Sequence, residues 1–154
     1  MPRPITLRAA SLCDLPELSA LCLRSKAHWG YDADFMAACV EELTLHPEDL
    51  KTRDIQVADQ TGKLIGMVAI SRRLEPAELS SLFVEPAAIG TGLGKRLFQW
   101  AADQARAQGA QALRLESDPF AEAFYEFMGM VRIGEVASGS IPGRVLPHME
   151  LRLK

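Results

Sequence analysis

The chain has 154 residues, of which 48% are hydrophobic and 24% charged, with 17 Lys and Arg against 20 Asp and Glu. The formal charge of -3 excludes a global basic field for nucleic acid, and the length suffices for a hydrophobic core without disulfide or metal staples. Cys13, Cys22 and Cys39 lack CxxC spacing, and His28, His46 and His148 lack ligand spacing, so reduced thiols and no metal site are expected. No apolar run has the length of a membrane span and the N-terminus carries no signal-peptide core, which makes the cytoplasm the expected location. No repeat or linker divides the chain, so one domain over 1–154 is expected.

In chain order, residues 4–9 alternate as an opening strand. Ser11 and Asp14 resemble an N-terminal cap for the apolar helical run after them. Trp29-Gly30-Tyr31 interrupts that helix, a second helix is predicted over 33–44, and 46–49 reads as a turn or a short helical piece. Two strands in hairpin style, 54–59 and 63–73, flank a turn at Gln60-Thr61-Gly62, and a third strand over 77–85 stops at Pro86.

A helix from about Gly92 to Gln108 carries Leu93, Leu97, Ala101 and Ala105 on one stripe, and Gly109 stands just past its end. A short strand over 111–117, a helix from Pro119 to about Met128, and strands at about 130–137 and 146–153 complete the chain. The order predicts an α/β (α+β) fold: a mixed, mostly antiparallel sheet of about six to seven strands flanked by about four helices.

The stretch FVEPAAIGTGLGK, 83–95, places Gly90, Gly92 and Gly94 immediately before the long helix. It fails as an NTPase phosphate loop, because Ile89 stands where the first glycine belongs and Arg96 replaces the magnesium-binding hydroxyl. It matches a dinucleotide turn poorly, since the spacing is GxGxG. Two readings stay open on spacing alone: a backbone cradle for an anion at a helix N-terminus, or a tight turn that packs helix against sheet.

The run Leu82 to Gly94 resembles the acetyl-CoA loop of the GNAT superfamily of N-acetyltransferases, in which a strand ends in V-x-P and R/Q-x-x-G-x-G/A leads into a helix. Asp118 to Met130, DPFAEAFYEFMGM, is similar to that family's second signature, N-x-x-A-x-x-F-Y-x-x-x-G-F. The resemblance covers nearly the whole element order. It implies direct transfer of an acetyl group from acetyl-CoA to a primary amine of a small molecule or peptide, through a tetrahedral intermediate and without a metal. A non-catalytic acyl-CoA sensor of the same fold is the alternative. It further implies cofactor contacts from Leu82, Phe83, Val84, Ile89, Gly90, Thr91, Gly92, Leu93, Gly94, Lys95, Asp118, Ala121 and Phe124.

Tyr125 matches the family's general acid and Glu78 the position of its general base. Glu85 competes for that second role, and strand alternation puts it on the opposite face from Glu78. Two departures stand out: Ile89 replaces the usual Arg or Gln, and Asp118 the usual Asn, where it could instead cap the helix begun by Pro119. For the acceptor, His28, Trp29, Tyr31 and Phe35 are candidate wall residues, with Arg144 available for a carboxylate or phosphate on the substrate. The same resemblance allows a homodimer, and neither nucleic acid nor membrane is an expected partner.

Overall fold

The computed structural model describes residues 3–153. Seven strands form one sheet: β1 (Thr6–Ala9), β2 (Arg53–Gln60), β3 (Lys63–Ser71), β4 (Ala77–Val84), β5 (Ala112–Glu116), β6 (Val131–Ala137) and β7 (Val145–Arg152). Their order across the sheet is β1-β2-β3-β4-β5-β7-β6, and every pair is antiparallel except β4 with β5. Among the described residues five α-helices accompany it: α1 (Leu15–Ala27), α2 (Ala33–Leu43), the one-turn α3 (Asp49–Thr52), α4 (Leu93–Ala107) and α5 (Glu122–Phe127). The mixed, mostly antiparallel sheet is thus as expected, and 46–49 leads into the additional one-turn helix.

Two apolar layers hold the sheet. On one face α4 buries Leu93, Leu97, Phe98, Ala101, Ala102 and Ala105 against Val68, Ile70, Leu113 and Met149. On the other, α1 buries Leu15, Leu18, Leu21 and Cys22 against Val57, Met67 and Ala69. Residues of β3 from Leu64 to Ser71 are all buried, because both faces of this strand are covered. Each fully buried large apolar side chain contributes about 1.5–3 kcal/mol relative to exposure. Gly66 allows the closest approach of α4, since a Cβ there would lie 3.0 Å from Leu97 Cδ1 and 3.1 Å from Leu93 Cδ2.

Local chemistry sets the helix ends. The Ser11 N–H and hydroxyl donate to Asp14 Oδ2 at 2.8 and 3.0 Å, and Arg8 clamps the same carboxylate at 2.8 Å. Gly109, at φ +86°, closes α4, with its N–H on the Arg106 carbonyl and that of Ala110 on Ala105.

One irregularity in the sheet decides which side chains of β4 face which layer. Along the β3–β4 ladder, Ala69 faces Ser81 and the next residue, Ile70, faces Leu79, so Ser80 is an extra residue on β4. Before the bulge Ala77 and Leu79 join the α4 core; after it Leu82 and Val84 do, while Phe83 packs on the α1 side. The bulge cancels the alternation that would separate Glu78 from Glu85. Glu85 falls on the Phe83 side, where Arg24 of α1 donates to it at 2.7 Å.

Candidate functional site

The parallel pair β4 and β5 is joined only at Ala77 with Leu113 and Glu78 with Arg114. Beyond the bulge the two strands separate, and between them opens a cleft of ≈ 640 Å³. It is walled by Leu82, Phe83 and Val84 on one side and by Leu115, Glu116 and the start of α5 on the other. The Val84 N–H reaches only Ser25 Oγ, at 3.4 Å, so this edge of β4 presents main-chain groups to the opening.

At one end of the cleft lie Ile89, Gly90, Gly92, Gly94 and Lys95. Gly90 and Gly92 have φ of +84° and +87°, a region that side chains disfavour, and a Cβ at either would meet no neighbour. The requirement for glycine here is therefore backbone conformation. Among the described residues, the N–H groups of Gly90, Gly92, Leu93, Gly94 and Lys95 have no acceptor, whereas that of Arg96 begins the helical ladder on Gly92. Convergent free N–H donors at the positive end of a 15-residue helix fit a phosphate-bearing ligand. Thr91 turns away, its hydroxyl donating to the Ala88 carbonyl, and the Leu93 side chain is 2% exposed within the core. Those two positions offer the cleft main chain at most. Ile89, 49% exposed, is not needed for packing.

The middle of the cleft is formed by Asp118, Ala121, Phe124 and Tyr125. Phe124 lies 3.5 Å from where a Gly94 Cβ would be, so the third glycine also admits an aromatic ring beside α4. Tyr125 is 6% exposed and packs on Phe98 and Phe124, at ring-centroid distances of 6.0 and 5.2 Å. Its hydroxyl has no hydrogen-bond partner among the described residues, yet the residue borders the cleft. Burial, with the nearby Asp118 charge, pushes the phenol above its ordinary value, which keeps it protonated at neutral pH.

Asp118 is the hub of a network. It accepts from the Phe120 N–H at 2.9 Å, capping the turn that Pro119 begins, from Tyr31 Oη at 2.8 Å, from Lys26 Nζ at 3.1 Å and from Arg144 at 3.3 Å. Burial alone would raise this carboxyl, but the hydrogen bonds from Phe120 and Tyr31 and the Lys26 charge outweigh it and hold the group below the carboxylate range. The negative charge that Asp118 brings is thus shared between two cations. Arg144, expected to be available for a substrate anion, is engaged: it donates to Tyr31 Oη at 2.6 Å and lies over the stacked rings of Tyr31 and Phe35. His28, Tyr31 and Phe35 do not line the cleft, and Trp29 does, stacked on Phe120 at 5.5 Å.

At the far end, Glu78, Arg114, Glu116 and His148 form the floor. Above them, Ser140 in the β6–β7 connection donates to Glu42 of α2 at 2.8 Å, so the loop and the helix meet over the splayed strands. The local sequence pattern does not single out Lys26 or Glu42. Lys26 is 92 residues from its partner Asp118, and nothing in the residues around it signals that pairing. Among the described residues no group of His, Cys, Asp or Glu is arranged to hold a metal ion, and no helix is long and apolar enough to cross a membrane.

Among the described residues, a mixed sheet splits at its one parallel pair, with a helix N-terminus bordering the split, and this defines an α/β fold. Residues 33–152 match the acetyltransferase (GNAT) domain, and the chain belongs to that family. Among solved structures, the PaiA N-acetyltransferase of Thermoplasma acidophilum, in complex with coenzyme A, superposes with a TM-score of 0.79 at 21% identity, over 97% of this chain and 99% of that one. A GCN5-related N-acetyltransferase from Rhodopseudomonas palustris gives 0.82 at 20% identity, over 99% of each chain. The ribosomal-protein-S18-alanine N-acetyltransferase of Escherichia coli gives 0.72 at 22% identity, over 97% and 94%. These likenesses concern the fold. No curated protein sequence matches the chain.

Proposed function

We propose that this protein is an N-acetyltransferase that moves an acetyl group from acetyl-CoA to an amine. The observation that carries the reading is one cleft holding both a cradle of acceptor-free N–H groups, at Gly90 and Gly92 to Lys95, and the accessible, unpartnered hydroxyl of the otherwise buried Tyr125. The cradle holds the pyrophosphate, and the free edge of β4 from Leu82 to Val84 pairs with the pantetheine arm. Acetyl-CoA supplies the acyl group: the nitrogen lone pair forms the N–C bond, the C–S bond breaks, and CoA leaves as the thiol.

Tyr125 gives its proton to the departing sulfur. Because burial disfavours a free phenolate, that donation has to be matched by return of a proton from the attacking nitrogen. Glu78, on the cleft floor, takes the other proton, so that an ammonium and thioester become amide, thiol and one released proton. A carboxylate there has no cationic partner among the described residues, which leaves it available as a base. An N–H of the Leu82–Val84 edge polarises the thioester carbonyl.

The test is thermal stabilisation by acetyl-CoA, CoA and ATP in parallel. A CoA species at a hundredfold excess over Kd adds about 2.7 kcal/mol. A shift with ATP and none with either CoA species would rule the reading out. Thiol release across an amine panel then separates an enzyme from an acyl-CoA-binding sensor of the same fold.

A further inference from the structure

The far end of the cleft has a charge pattern that bears on the acceptor, provided that the acetyl-transfer reading holds. Leu113, Leu115 and Met149 occupy the α4 core, so Arg114, Glu116 and His148 emerge on the opposite face of β5 and β7, beside Glu78. The lysine and arginines beside it each have a carboxylate partner. Arg114 Nε donates to Glu150 at 2.8 Å, while Lys26 and Arg144 lie within 3.1 and 3.3 Å of Asp118. Glu78, Glu116 and Glu42 have no cationic partner among the described residues, although all three border the cleft. A second observation marks the same cavity as a ligand site: the Tyr125 hydroxyl, on a side chain 6% exposed, opens into it unpartnered.

We infer that the acceptor is a small unbranched di- or polyamine. One nitrogen reacts beside Tyr125 and Glu78, and a second, still protonated, rests on Glu116 with Glu42 above it. Glu78 stands across the ladder from Arg114, and Glu116 lies two residues further along β5, so the two glutamates are about 8 Å apart at roughly 3.4 Å per residue and about 4.8 Å between strands, within reach of a short methylene chain. Carboxylate-bearing acceptors are disfavoured, because their charge would meet these uncompensated glutamates. The contact of Ser140 with Glu42 and of Arg144 with Tyr31 joins the β6–β7 connection to α2 and to the residues preceding it, a roof that suits a single slender chain better than a folded protein surface.

The experiment compares kcat/KM for putrescine, butylamine, γ-aminobutyrate and a short peptide with two lysines, in the full-length protein and in Glu116→Gln. Putrescine is expected to exceed butylamine by about tenfold, the worth of one charge contact in a partly desolvated site, and Glu116→Gln to remove most of that ratio through KM. A ratio near one, a ratio untouched by Glu116→Gln, or a dilysine peptide outrunning putrescine would each overturn the inference. If no amine releases thiol, the acetyl-transfer reading fails separately. Calorimetric titration of putrescine and butylamine into the CoA-saturated protein then decides the acceptor claim: tighter putrescine binding supports it, and equal binding overturns it.

Discussion

The two ends of the cleft are made of different materials. The glycine end is main chain: left-handed turns at Gly90 and Gly92, free N–H groups and a helix terminus, with the side chains of Thr91 and Leu93 turned elsewhere. The middle and far end are side chain: carboxylates, engaged cations and, behind the cleft wall, the stacked rings of Tyr31 and Phe35, drawn from separate segments. A main-chain site depends on conformation and tolerates an exposed Ile89 at its rim. A side-chain site depends on identity, so it is where one member of a fold can differ from the next.

The largest effect is expected between the two ends, at Tyr125→Phe. Turnover should fall about 10²–10⁴-fold, because a positioned acid is lost. The thermal midpoint should hardly move, since the hydroxyl has no partner among the described residues; full activity in the variant would remove Tyr125 from the mechanism. Next comes Asp118→Asn, which leaves Lys26 and Arg144 without their carboxylate. Chemical denaturation should show a loss of about 1–3 kcal/mol, while CoA affinity changes little. A large drop in CoA affinity instead would mean that the two ends are not independent.

Gly92→Ala attacks the other material. The left-handed backbone costs an alanine about 1–2 kcal/mol, and calorimetry should register weaker CoA binding with the amine KM unchanged. The acid limb offers a smaller effect. The folded pKa of Asp118 lies below its unfolded value of about 3.9, so its contribution is complete above that pH and is lost as pH falls through the folded value. Wild type should therefore lose stability more steeply than Asp118→Asn below about pH 4. Burial pushes the Cys22 thiol up to about 12, so native alkylation should label exposed Cys13 and spare Cys22, with no change in activity.

Legibility in the sequence divides along the same line. Apolar periodicity locates α4 and its buried stripe, turn residues locate the β2–β3 hairpin, and the glycine spacing locates the cradle, because each is a local rule of backbone conformation. The cap at Asp118 is legible for the same reason, since its donor, the Phe120 N–H, lies two residues away. The pairing of Asp118 with Lys26 and Tyr31 is not, because those partners stand 92 and 87 residues distant, and Arg144 consequently reads as free when it is engaged. Ser80 carries no sign of being an extra residue either. Its neighbour is a second serine, and strict alternation through the pair places Glu85 on the wrong face.

That single serine also governs how the protein can change length. A substitution at Ser80 alters one side chain, and its deletion would only remove the bulge: Leu79 opposite Ile70 and Ser81 opposite Ala69 would become regular neighbours, with every residue from Ser81 to Val84 still on its present face. Phe83 would stay on the α1 side and Leu82 and Val84 in the α4 layer, so the packed core and the cleft wall would survive together. Descendants of this sequence should be free to vary at position 80 both in type and in number, whereas loss of a residue from the regularly paired part of the strand would put the side chains beyond it on the wrong faces.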